Sequence, residues 1–177
     1  MYKLELKYPR VDISKNGLSR GFSVEKKIIN TNIGKPVRVG DIVKVELFID
    51  VNNRSNRYIV IDDPLPAGLV AINSALKSEE PVPNENPDEE YYWYRYWSSD
   101  GYYNFRPNFF EMRDDRVLAF RDYSWRGRFK YTYYARAIVE GDYIIPSTKV
   151  QLMYDHSVRG YSPQSSLRIE AMPDGGK

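Results

Sequence analysis

The 177-residue sequence has no cysteine, which excludes disulfides, thiolate metal sites and a cysteine nucleophile within it. It has a single histidine, His156, so no site can draw on several imidazoles. No apolar run approaches the roughly 18 residues that mark a membrane-spanning helix, and residues 1–10 lack the apolar core of a signal peptide. Net charge is only +2, from 26 basic and 24 acidic side chains. That balance offers no concentrated basic face for nucleic acid, and none is expected as a partner. Helical periodicity is nearly absent as well.

What is abundant is aromatic. Aromatics make up 15% of the chain, chiefly through 16 tyrosines, and tyrosine favours half-buried pleated surfaces where the ring packs and the hydroxyl stays wet. The clearest pattern lies in 128–154. Phe129, Tyr131, Tyr133, Ala135 and Ala137 alternate with Arg128, Lys130, Thr132 and Arg136, as in a long strand with one buried face. Gly141-Asp142 reads as a turn into a second extended run at 143–145, which together predict a hairpin. A second strand signal covers 37–51, with Val43, Val45, Leu47, Ile49 and Val51 on one face and Lys44, Glu46 and Asp50 on the other. Polar 52–57 reads as a turn, 58–61 as a short return strand, and 62–68 as a rigid bend stiffened by Pro64 and Pro66.

Further strands are expected near 21–29, 69–72, 117–120 and 165–171, with a hairpin through Asp114-Asp115. A first strand at 2–7 and a helical turn at 73–78 have weaker signals. Many short strands with frequent turn signals predict an all-β chain with little helix, folded as an antiparallel sandwich. Residues 1–15 read as a linker or the end of a preceding domain, 16–172 as the sandwich, and 173–177 as a flexible tail. An aromatic-rich insertion spans about 79–110; its first part, 79–90, is acidic and proline-rich, like an exposed loop.

Candidate chemistry is sparse. Asp155-His156-Ser157 holds the three residue types of a catalytic triad, but neighbours along an extended chain face apart, whereas a triad must converge. The carboxylates of 79–90 lack the spacing of a calcium loop, so no metal and no cofactor is expected. Asp62-Asp63 and Asp114-Asp115 sit where aspartate serves turns. No catalytic residue is assigned. Trp93, Tyr94, Tyr96 and Trp97, around Arg95, could stack on sugar rings or bases, or could cover the sandwich or a neighbouring domain. Met153-Tyr154 closes the alternating region with an adaptable thioether and an amphipathic ring, which suits a contact surface as well as ordinary strand-end packing.

Several segments, in order, carry a family resemblance: GLSRGFSVEKKI, VRVGDIVKVELFI, IVIDDPLPAGL, FEMRDDRVLAF, the run from Phe129 to Ser162, and LRIE. Together they resemble the C-terminal macroglobulin-like domain of bacterial alpha-2-macroglobulins over nearly all the chain beyond about residue 15. The resemblance implies a macroglobulin-like β-sandwich at the end of a large, multidomain cell-envelope protein. Such a protein would be periplasmic or extracytoplasmic, and a lipid anchor could tether it. It traps attacking proteases after cleavage of a bait region. Its C-terminal domain is implied to be non-catalytic and to pack against a thioester domain of the same chain. The positions corresponding to Met153 and Tyr154 help shield the thioester from water, which requires exclusion of solvent and amines. The partners implied are thus other domains of the parent and the trapped protease. A different class stays open: a glycan-binding or adhesive sandwich using the aromatic insertion.

Overall fold

Two strands of unusual length organise the molecule. In this computed structural model, which describes residues 16–32, 34–73 and 101–172, they are β4 (Ile42–Pro64) and β8 (Arg116–Ala137), paired antiparallel from Ile42↔Arg136 to Pro64↔Arg116. In order, the chain forms β1 (Leu18–Arg20), β2 (Phe22–Asn30), β3 (Val37–Arg38), β4 and β5 (Leu69–Ile72). Then come β6 (Tyr103–Asn104), β7 (Phe109–Met112), β8, β9 (Gly141–Ile145), β10 (Lys149–Leu152), β11 (Arg159–Tyr161) and β12 (Ser165–Glu170). The expected all-β sandwich is the fold observed.

The free edges of the long ribbon are shared out along its length. β4 pairs with β2 over Val43 to Val51 and with β10 over Ile59 to Asp62. β8 carries β5 at one end, β7 at the other and β6 in parallel between them. A separate three-stranded sheet runs β3-β12-β9. Alternation explains the core. Val43, Val45, Leu47, Ile49 and Val51 of β4 are buried, as are Phe129, Tyr131, Tyr133, Ala135 and Ala137 of β8. Phe22, Leu69, Val150 and Ile169 bring β2, β5, β10 and β12 into the same cluster.

Several expectations about strand ends are corrected. Residues 52–57 are not a turn: β4 runs straight through them, and its register against β8 shifts between Val51 and Ser55. Val51 faces Gly127 and Ser55 faces Trp125, so β4 advances four residues while β8 advances two, an irregularity that bends and twists the ribbon. Residues 52–55 are exposed, whereas Asn56 and its partner Ser124 are polar and buried. The segments at 117–120 and 128–137 are likewise one strand.

The expected hairpin of 128–145 does not form either. β8 stays in the large sheet, while β9 crosses to the small one and pairs with β12. Gly141-Asp142 opens β9 rather than making the turn. Val37 belongs to its own short strand, parallel to β12, ahead of a turn at Gly40 with φ +91°. Asp62, Asp63 and Pro64 finish β4, leaving only 65–68 to bend. The hairpin through Asp114-Asp115 is present, with Met112 opposite Val117.

The described end of the aromatic insertion lies on β8. Phe105 is buried edge-on to Phe129 and Tyr131, and Tyr103 packs against Trp125 and Phe129. Those rings cover the sheet. The expectations for 1–15, 74–100 and 173–177 fall outside the described residues, and with them Trp93, Tyr94, Tyr96, Trp97 and the 79–90 carboxylates.

Candidate functional site

The end of β10 presents the two predicted contact residues. β10 is held on both sides, by Leu152↔Ile59 with β4 and Gln151↔Arg159 with β11. Past Leu152 the chain reverses in a tight loop. Leu152 N–H donates to Val158 O and Val158 N–H donates to Asp155 O, both at 3.2 Å. Asp155 Oδ1 accepts from Ser157 N–H at 3.0 Å and from Ser157 Oγ at 2.6 Å. Arg159 Nη1 donates to His156 O at 3.0 Å. A loop so closed on itself gives its side chains a fixed direction at little entropic cost on docking.

On that loop Met153 is 40% exposed and Tyr154 80% exposed. Met153 N–H donates to Tyr58 O at 2.8 Å, and the Tyr154 ring stands edge-on to the Tyr58 ring, with centroids 5.3 Å apart at 89°. Tyr58 is itself 43% exposed. The Tyr58 and Tyr154 rings make one exposed corner where β4 meets the end of β10, with Met153 tied to it through its backbone. Tyr58 adopts a left-handed backbone, φ +56°, and had no signal in the sequence beyond membership of an apolar strand, because such positions are signalled by glycine or asparagine.

The triad reading of Asp155-His156-Ser157 gains nothing from this geometry. Ser157 Oγ is bonded to the Asp155 carboxylate itself, whereas a nucleophile would need its hydroxyl against the imidazole. The hydroxyl and amide of Ser157 hold the Asp155 carboxyl below its ordinary range, first through the side-chain hydrogen bond. Loop closure accounts for both contacts.

The other paired carboxylates also separate. Asp62 lies 3.4 Å from Arg116 Nη1 on the half-exposed face. Asp115 bonds Arg116 at 2.9 Å, and that contact lowers the Asp115 carboxyl pKa. Asp63 is fully buried and anything but a turn residue. Its Oδ1 accepts from Lys26 Nζ at 2.7 Å and Thr148 Oγ1 at 2.6 Å, and its Oδ2 from Tyr133 Oη at 2.5 Å. Lys26 Nζ also reaches Pro64 O at 2.9 Å. The cluster ties β2, β4, β8 and the residue preceding β10 into one buried polar knot. Among the described residues no group of three or more His, Cys, Asp and Glu could hold a metal ion, and no helix is long and apolar enough to cross a membrane. A cleft lined by Ile72, Phe110, Met112, Tyr131 and Tyr133 takes no wall from the Met153-Tyr154 corner.

Comparison with known proteins gives this corner a context. The family model of the bacterial alpha-2-macroglobulin MG10 domain matches residues 17–156. An alpha-2-macroglobulin homolog of Nostoc sp. is 25% identical over 132 residues, which is 75% of this chain and 6% of that protein. Trypsin-activated alpha-2-macroglobulin from Escherichia coli superposes with a TM-score of 0.70 at 24% identity, over 88% of this chain and 11% of that chain. Native Escherichia coli alpha-2-macroglobulin spanning domain MG7 to the C-terminus gives a TM-score of 0.65 at 23% identity, over 87% of this chain and 24% of that one. The two structures establish a shared fold. This chain spans a small part of the length of each of these relatives.

Proposed function

Because the chain belongs to the bacterial alpha-2-macroglobulin MG10 domain family, we propose that it is a non-catalytic, C-terminal interaction domain of a protease-trapping protein. In this reading residues 16–172 form the domain, which works outside the cytoplasm within a larger parent. Met153 and Tyr154 dock on a thioester domain of that parent. They exclude water and amines from the thioester until cleavage of a bait region releases the contact.

The observation that carries the reading is a tyrosine ring 80% exposed on a loop fixed at both ends by backbone and side-chain bonds. A large ring left in water on an ordered loop is poorly explained by the domain's own packing and well suited to a partner. Aromatic residues and methionine are enriched at interfaces, where they bury much area for little lost freedom. Water exclusion strengthens protection of a reactive bond on the other side of such a contact.

Hydrogen exchange in the full-length parent tests the docking. The peptide covering 152–158 is expected to exchange slowly before bait cleavage and faster after it. Equal exchange in the two states would remove the contact from the mechanism.

A further inference from the structure

Among the described residues Tyr58 is the only non-glycine with a positive φ, at +56°. That left-handed geometry is penalised by Cβ sterics, and a bulky side chain there calls for a functional explanation. Tyr58 lies between two ladder pairs, Arg57↔Tyr123 and Ile59↔Arg121. Around it the alternation changes phase: Asn56 and Ile59 point inward, while Arg57 and Tyr58 both point outward. Glycine or asparagine would make that phase change with less strain. What neither would supply is the ring.

The Tyr58 ring has an aromatic neighbour. It stands edge-on to Tyr154, a favourable arrangement for two aromatic quadrupoles. The carbonyl of the same residue holds Met153 N–H. Tyr58 therefore touches both predicted contact residues, through backbone on one side and side chain on the other. We infer that Tyr58 is a positioning residue whose strained backbone aims its ring to fix the direction of Tyr154. The consequence for thioester protection rests on the docking role proposed above; the positioning itself does not.

The test is fluorine NMR of a fluorotyrosine placed at position 154 of the full-length parent, combined with methylamine uptake by its thioester. Tyr58→Gly keeps the left-handed backbone and removes the ring, Tyr58→Asn does the same with a side chain tolerant of that geometry, and Tyr58→Phe keeps the ring. The first two are expected to shift the fluorine signal toward that of a solvent-exposed fluorotyrosine, and Tyr58→Phe to restore it. Uptake is expected to rise in the first two to the level of Tyr154→Ala, with no further rise when Tyr58→Gly and Tyr154→Ala are combined. A fluorine signal unmoved by Tyr58→Gly and Tyr58→Asn would overturn the positioning role. A shifted signal with uptake unchanged in every variant, Tyr154→Ala included, would uphold positioning and remove shielding instead.

Discussion

The buried tyrosines beside Asp63 show what a single hydroxyl contributes. Burial, and then the Asp63 carboxylate, push the Tyr131 phenol up to about 12 and the Tyr133 phenol well above its ordinary value of 10.0. In both cases the folded state holds its proton to higher pH than the unfolded chain does. Stability from these groups is therefore complete below pH 10 and declines as pH rises beyond it, because the unfolded state then binds fewer protons. For Tyr131 the decline across two pH units is on the order of 2 kcal/mol. Urea unfolding at pH 9 and pH 11.5 should show a smaller alkaline loss in Tyr131→Phe than in the parent sequence. An identical loss in both would mean that Tyr131 ionises freely in the fold. Alternation placed both tyrosines on the inner face, but it could not identify the acid they face, since Asp63 lies 70 residues away from Tyr133 in sequence.

At the scale of elements, β4 and β8 matter because each serves several neighbours. Their inner faces were legible because one buried face forces a period of two. Their lengths were not. Polar 52–57 looks like a turn when it is a continuous, mostly exposed part of β4 with a register shift, and nothing local distinguishes the two. The crossing of β9 to the small sheet was hidden for a related reason, since Gly141-Asp142 has the composition of a hairpin turn but pairing is decided by which edge is free. Asp62-Asp63 looked like bend chemistry, yet Asp63 anchors Lys26, Tyr133 and Thr148. Lys26 and Asp63 have side chains 2% and 0% exposed, so removing one partner strands a charge in the interior. Lys26→Met should cost about 3–5 kcal/mol in unfolding free energy, measured in urea at pH 7. A loss within the range of exposed ion pairs, about 1 kcal/mol or less, would show that the remaining hydroxyls carry the carboxylate alone.

The knot also bears on the site. Thr148 immediately precedes β10, whose far end carries Met153 and Tyr154. β10 is thus anchored at its start by buried polar bonds, and the loop after it is held where Met153 N–H meets Tyr58 O, with most of the Tyr154 ring facing outward.

For the whole molecule, the sandwich and its family were legible from ordered segments spread over most of the chain, each with strand or turn chemistry suited to its place. Met153 and Tyr154 could be named only through the resemblance, because composition alone allows strand-end packing equally well. The structure adds their exposure and their brace. In the proposed mechanism Tyr154 keeps amines from a thioester of the parent, and methylamine uptake measures that protection directly. In a full-length parent that carries the thioester, Tyr154→Ala should take up methylamine at least about tenfold faster than wild type before any bait cleavage, a barrier change of ~1.4 kcal/mol. Uptake at the wild-type rate would contradict the claim.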